Sequence, residues 1–149
     1  MNFKIISIGK FPKSSPYINM FEEYKKRIRY KVELLEIKNE DEDIKNFNLQ
    51  HNIINKNSNL EKEIIILDKS GKDIDSRGFS KILEKKMNRR YKEIIFFIGG
   101  PNGIHSSIIK SNLSLSFGNQ TWPHLLVRVM LIEQIYRALA ILQGHPYHK

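Results

Sequence analysis

Three stretches in the last third of the chain carry the residue types that hold a cofactor and handle a proton: Gly99-Gly-Pro-Asn-Gly103, Phe117-Gly-Asn-Gln-Thr-Trp-Pro-His124 and the closing His145-Pro-Tyr-His-Lys149. Glycines let a ligand approach backbone amides closely, although Asn-Gly is also a turn former and the first stretch can be a turn and nothing more. The second sets aromatic surface, Phe117 and Trp122, beside polar Asn119, Gln120 and Thr121. The tail offers an imidazole that titrates near neutrality, a phenol and a terminal ammonium, where most chain ends only fray. Two loops and a tail thus point to a cofactor-binding transferase that acts on RNA.

Other chemistries find little support. No Gly-x-Gly-x-x-Gly and no Gly-x-x-x-x-Gly-Lys-Ser/Thr occurs, so the usual dinucleotide and phosphate-loop signatures are missing. His145 and His148 are three apart, but there is no Cys, and His51, His105 and His124 are scattered along the chain, so no metal site is expected. Asp68, Asp73 and Asp75 lack the calcium-loop pattern and suit turn and cap roles. Ser106, Ser107 and Ser116 lack a nucleophile-elbow context. Glu133 and Arg137 read as an i,i+4 surface pair on a helix.

The elements that must position these residues alternate between strand and helix patterns. Apolar runs predict strands over Phe3–Ile8, Val32–Ile37, Glu63–Leu67, Ile94–Ile98 and Leu113–Phe117. Helical spacing covers Tyr17–Tyr30, Asp43–Ile54 (ended by the Asn/Lys/Ser stretch 55–59), a segment opened by Asp75 or Ser76 and running to about Arg90, and a short piece near Ile104–Lys110. The last helix runs Pro123–Leu142, with proline suited to its first turn. Such alternation argues an α/β domain on a mostly parallel sheet, where ligands sit beyond the carboxyl ends of strands. Leu67, Ile98 and Phe117 are three such ends, each followed by a Gly-containing loop. On the last helix Leu125, Leu126, Val129, Met130, Ile132, Ile135, Leu139 and Leu142 cover more than half the circumference, too much for one sheet contact, so a second copy is expected to bury the rest.

A length of 149 residues suits one domain, 1–149, that buries about 70% of its unfolded surface. The lack of Cys, of a long apolar run and of a basic-then-apolar leader argues against secretion and membrane insertion and leaves the cytoplasm. A formal charge of +9 suits a polyanionic partner. Lys, Ile and Asn are abundant throughout, however, so part of that surplus can be plain solvated surface. The cations gather in two places: Lys25, Lys26, Arg27, Arg29 and Lys31 at the end of one helix, and Lys81, Lys85, Lys86, Arg89, Arg90 and Lys92 on another.

Taken in order, Leu67-Asp-Lys-Ser-Gly-Lys72, Ile98-Gly-Gly-Pro-Asn-Gly-Ile-His105, Leu115-Ser-Phe117, Thr121-Trp-Pro-His124, Arg128-Val129, Glu133-Gln-Ile-Tyr-Arg-Ala138 and His145-Pro-Tyr-His-Lys149 resemble the ribosomal RNA large subunit methyltransferase H family over the whole chain. That resemblance implies a SPOUT-type α/β fold with a C-terminal trefoil knot, S-adenosylmethionine as cofactor, a homodimer, and methylation of N3 of a pseudouridine in 23S rRNA on the assembled ribosome. By position it implies cofactor contacts from Leu67, Gly99, Phe117, Gly118, Asn119, Gln120, Thr121 and Trp122. It also implies catalytic roles for His148, Tyr147 and Arg137, and RNA contacts from Arg128 and Lys149. His148 is then the candidate base, Tyr147 stacks on or bonds to the nucleobase, and Arg137 holds an imide oxygen or a phosphate. Many relatives end in Arg where this chain has Lys149, a point charge in place of a planar fork. Two other readings stay open at this point: an RNA-binding assembly factor without catalysis, and a methyltransferase for another RNA such as tRNA.

Overall fold

In the computed structural model, residues 1–89 and 91–149 are described. Arg90, counted above in a basic cluster and as a helix end, lies outside them. The chain forms β1 (Asn2–Ile8), α1 (Pro16–Arg27), β2 (Lys31–Ile37), α2 (Asp43–Asn57), β3 (Lys62–Asp73), α3 (Ser76–Asn88), β4 (Glu93–Ile98), α4 (Ser106–Ser111), β5 (Leu113–Ser116) and α5 (His124–Leu142). The five strands lie in the order β2-β1-β4-β3-β5, and every pairing is parallel. Strands buried on both faces must be apolar on both faces. Accordingly Ile94, Phe96 and Ile98 of β4 pack with Phe21 of α1, Phe79 and Leu83 of α3 and the inner side of α5. Ile95 and Phe97 turn to the opposite layer, against Ile53 of α2 and Ile108 of α4.

Local chemistry sets the element ends. Ser15 caps α1 and Pro16 opens it, while Asp75 caps α3 by accepting from the Gly78 N–H at 2.7 Å. The helix α2 runs past the expected break at Asn55 to Asn57, because Asn57 and Ser58 donate back to the Ile53 and Ile54 carbonyls at 2.7 and 2.9 Å and complete its last turn. The loop expected at 68–72 is instead an excursion within one long strand. Pairing to β5 jumps from Leu67 to Lys72, both opposite Leu115, and Asp68 closes a turn onto the Ser70 N–H at 2.9 Å. A Cβ on Gly71 would stand 2.7 Å from the Leu115 backbone, so no larger residue fits this close approach to β5. Pro123 is the residue before α5 and not its first.

The largest buried side chain is that of Arg128, wholly enclosed in the first turns of α5. Its guanidinium bonds Glu36 at the end of β2 (2.9 Å), donates to the Ile8 carbonyl at the end of β1 (3.4 Å) and lies 4.7 Å from the Phe11 ring centroid. Glu36 also accepts from the Phe11 N–H at 2.6 Å. Gly9, with φ +98°, passes so close that its own Cβ would meet Arg128 Nη2 at 3.3 Å. The RNA contact assigned to Arg128 from sequence is therefore corrected: a guanidinium with no exposed surface, paired to the half-buried Glu36, does not reach a phosphate. Losing one member of such a pair strands the other charge in the interior. Glu36→Leu should cost about 3 kcal/mol, roughly 10 °C in melting temperature at this chain length. Glu36→Leu combined with Arg128→Met should recover most of that loss in thermal denaturation, and a double variant no more stable than the single one would contradict this account.

Candidate cofactor and acceptor sites

Beyond the carboxyl ends of β4 and β5, and beside the excursion of β3 that begins after Leu67, lies an open cavity of about 490 Å³. Leu67, Gly99, Phe117, Gly118, Gln120, Thr121 and Trp122, all expected from sequence, line it. Asn119, expected with them, is not among the lining residues. The walls join apolar strand ends to the polar groups of two loops, the composition that small-molecule sites favour. The second loop holds itself in shape: Ser116 Oγ bonds the Gly118 N–H and carbonyl at 3.0 and 2.9 Å, and Trp122 Nε1 donates to the Phe117 carbonyl at 3.2 Å. Gly118 takes φ +105°, a conformation that only glycine adopts freely.

Gly99 is required by the folding of its own loop. A Cβ there would stand 2.6 Å from the Ile104 side chain and 3.1 Å from the Gly103 carbonyl, so the residue lets the following loop fold back upon the strand end. Gln50, almost fully buried on α2, braces that loop from behind. Its amide donates to the Gly103 carbonyl and accepts from the His105 N–H, both at 2.9 Å. A glutamine in a weakly patterned helix gave no sequence signal of this role. Ile98, Leu115, Ile104, Val127 and His124 also line the cavity without having been singled out as contacts. The strand ends among them follow directly from the rule that ligands sit at carboxyl edges. His124 has its pKa lowered from 6.5, first by burial and then by the Arg128 charge, so it is neutral at pH 7.

A second cluster forms where the tail folds back along α5. Glu133 accepts from Arg137 through Nε at 2.8 Å and Nη2 at 2.5 Å, and from the Tyr147 hydroxyl at 3.1 Å. The pair read from sequence as solvated is thus partly enclosed, with side chains 25% and 16% exposed. Tyr147 packs edge-on against Tyr136, centroids 4.7 Å apart, under the Arg137 guanidinium at 4.7 Å. Burial, with help from Tyr24 and Glu133, raises the Tyr147 pKa and keeps it a phenol. The hydrogen bond to Glu133 keeps Arg137 charged. Arg137 Nη1 lies 3.3 Å from His148 Nδ1; guanidinium can only donate, so Nδ1 accepts and the ring proton sits on Nε2. Lys149 is exposed at the end.

His51 and His105, scattered in sequence, meet at Ser107, whose hydroxyl lies 3.3 and 2.8 Å from their rings. Among the described residues no group of three or more His, Cys, Asp or Glu is placed to hold a metal, and no helix is long and apolar enough to cross a membrane. The two functional clusters do not join within one chain. No residue of the tail lines the cavity, and Glu133 is nine residues along α5 from His124, about 13 Å by helical rise.

Comparison with known proteins agrees with this architecture. Over nearly its whole length the chain is similar to ribosomal RNA large subunit methyltransferase H of Caldicellulosiruptor bescii, with 42% identity over 98% of this chain and 99% of the relative. The proteins of that name from Ureaplasma urealyticum and Mesoplasma florum are 39% and 36% identical, each over 100% of both chains. The family described as "Predicted SPOUT methyltransferase" matches residues 1–148. A match of that extent, together with the parallel sheet and its carboxyl-end cavity, means that this chain belongs to the SPOUT methyltransferase family.

Proposed function

We propose that this protein, as a homodimer of single-domain chains in the cytoplasm, methylates N3 of a pseudouridine in 23S rRNA of the assembled ribosome, using S-adenosylmethionine. The observation that carries the reading is the division of its functional side chains into a cavity of cofactor size and a separate cationic, aromatic tail. The full-length similarity to proteins named for large-subunit rRNA methylation supports the RNA class. The trefoil threading that belongs to this reading is supported by the match to the SPOUT family.

The cavity suits the cofactor: its 490 Å³ falls within the ~300–1,000 Å³ of small-molecule sites, and its polar loops surround apolar strand ends. Leu67, Gly99, Phe117, Gly118, Gln120, Thr121 and Trp122 would hold it, with Asn119 acting through the shape of its loop. The cofactor, when bound, supplies a sulfonium methyl whose carbon–sulfur electron pair stays on sulfur as the new nitrogen–carbon bond forms. The chain must then remove the N3 proton and hold the base in line, and the tail carries both tasks. RNA that draws Arg137 to a phosphate or an imide oxygen frees His148 Nδ1 to take that proton. Tyr147, kept as a phenol, stacks on the base or donates to it, and Lys149 meets a phosphate.

Because cavity and tail stand apart in one chain, a second copy is the natural way to bring them together. A groove of about 540 Å³ is lined by Met20, Tyr24, Phe79, Leu126, Met130 and Glu133, and it also reaches Phe117 of the cofactor loop. It thus links the two clusters along the apolar side of α5 left half-buried in the single chain. A copy seated there by a two-fold axis would set the tail of one chain against the cavity of the other.

Methyl transfer from labelled cofactor to ribosomes lacking the modification, followed by mapping of the methylated nucleotide, tests the proposal. Deleting Tyr147–Lys149 should leave cofactor binding intact and lower turnover at least about a hundredfold. Co-expressing that deletion with Gly99→Val, which disrupts the cofactor loop, should restore part of the activity through mixed dimers. Label found in tRNA would support the other substrate, RNA binding without turnover would support the assembly factor, and a fully active monomer would remove the shared site.

The neutral His124 generates a pH prediction. Its lowered pKa means that the cavity gains a positive charge only on acidification, where it would oppose the sulfonium of the cofactor. Cofactor affinity should be level from about pH 8 to about pH 6.5 and fall below that, while His124→Gln should remove the fall. Calorimetric curves that decline alike in both proteins would exclude His124 as the group responsible.

A further inference from the structure

The cations at the end of α1 surround a pocket. Between that end and the end of α5 lies a cavity of about 160 Å³, floored by Ile28, Tyr30 and Tyr136 and rimmed by Arg27, Arg29, Gln143 and His145. Every rim residue can donate a hydrogen bond. For His145 the donor is fixed, since its Nδ1 accepts from the Tyr147 N–H at 3.2 Å and leaves the proton on Nε2. Among the described residues Arg29, Lys26 and Lys31 have no carboxylate within 4 Å, and Arg27 has only Glu23 at 3.7 Å, in a pair more than half exposed on both sides. A surface pair of that kind contributes little and is readily exchanged for a better anion.

Cations at a helix end also offset its dipole, but the magnitudes do not balance. The ends of α1 and α5 together present about one negative charge, roughly half from each helix. Against that charge and the Glu23 carboxylate stand the guanidinium groups of Arg27 and Arg29 on the rim and the ammonium groups of Lys26 and Lys31, neighbours in sequence, four positive charges against about two negative. The surplus is positive, and it faces a concave site one ring away from the acceptor cluster: Tyr136 floors the pocket and packs against Tyr147. Arg27 lies 5.5 Å from the Tyr24 ring centroid, and the Tyr24 hydroxyl is 3.3 Å from that of Tyr147.

We propose that this pocket is a phosphate-binding subsite that takes a backbone phosphate of the RNA near the methylated nucleotide and so sets the register of the substrate on the tail. Planar guanidinium groups suit bidentate phosphate contact, and the inference rests on the RNA methylation proposed above. The decisive experiment compares the full-length wild type with Arg27→Gln/Arg29→Gln, measuring cofactor binding, ribosome binding against salt, and the steady-state constants of methyl transfer. In the variant we expect unchanged cofactor affinity, a KM for ribosomes raised at least about tenfold, a kcat near that of the wild type, and a salt slope shallower by about 0.8, the value for one lost phosphate contact. Arg27→Lys/Arg29→Lys should retain the salt slope and recover part of the KM. An unchanged KM and slope in the Gln variant would overturn the subsite, and so would a fall in kcat alone, which would mean a role in packing the tail. A wild type that neither binds nor methylates ribosomal RNA would instead overturn the proposed function, and the subsite with it.

Discussion

The ion pair between the enclosed Arg128 and the half-buried Glu36 is the constraint on which the cavity depends. One guanidinium ties the first turns of α5 to the ends of β1 and β2 and to the loop at Phe11. Its Nε finds no partner, so solvation is incomplete and stability is a poor explanation for burying it; hydrophobic replacements of such pairs are often neutral or better. What the pair supplies is position. It fixes where α5 begins relative to the sheet, and the residues just before and within that first turn, Trp122 to His124, form one wall of the cavity. The same charge helps to keep His124 unprotonated, so the clamp sets both the shape and the electrostatics of that wall.

Glu133 does for the tail what Glu36 does for the cavity. A terminal segment has little apolar surface with which to offset its ordering entropy, yet this one is held by a single carboxylate that engages Arg137 and Tyr147 together, with Tyr136 as its platform. The tail therefore has a defined resting conformation in which His148 is engaged by Arg137. In the proposed mechanism that resting contact is what RNA binding must exchange, which links substrate recognition to exposure of the base.

Much of the fold was legible because parallel strands buried on both faces leave continuous apolar runs; four of the five were placed to within a residue at either end, while β3 runs six residues past its expected end at Leu67. The cavity was legible too, since glycine loops after such strands mark it. What escaped the sequence reading depended on partners distant along the chain. Arg128 suggests a functional cation until Glu36, far away in sequence, is seen beside it. Gln50 bonds a loop more than fifty residues onward, and a Cβ on Gly99 would also collide with Ile104, a constraint of the loop itself. The extra turn of α2 came from side chains bonding back to carbonyls, a local device that composition alone reads as a break.

Charge shows the same dependence on placement. At the amino ends of the strands Lys4 bridges Glu33 and Glu93 across neighbouring strands, Lys62 reaches Glu93, and Lys86 and Lys92 pair with Glu63 and Glu61. These contacts occupy the carboxylates on that side of the molecule within the sheet and its flanking helix. The cations that follow α1 are left without them, because Lys31, the first residue of β2, stands opposite uncharged Asn2 in the edge register. An abundance of lysine that looks like compositional bias along the sequence thus includes one set paired across the amino ends of the strands, distinct from Lys26, Arg29 and Lys31 at the end of α1. In the proposed function these last cations lie beside the acceptor cluster, where a polyanion drawn to the tail can meet them.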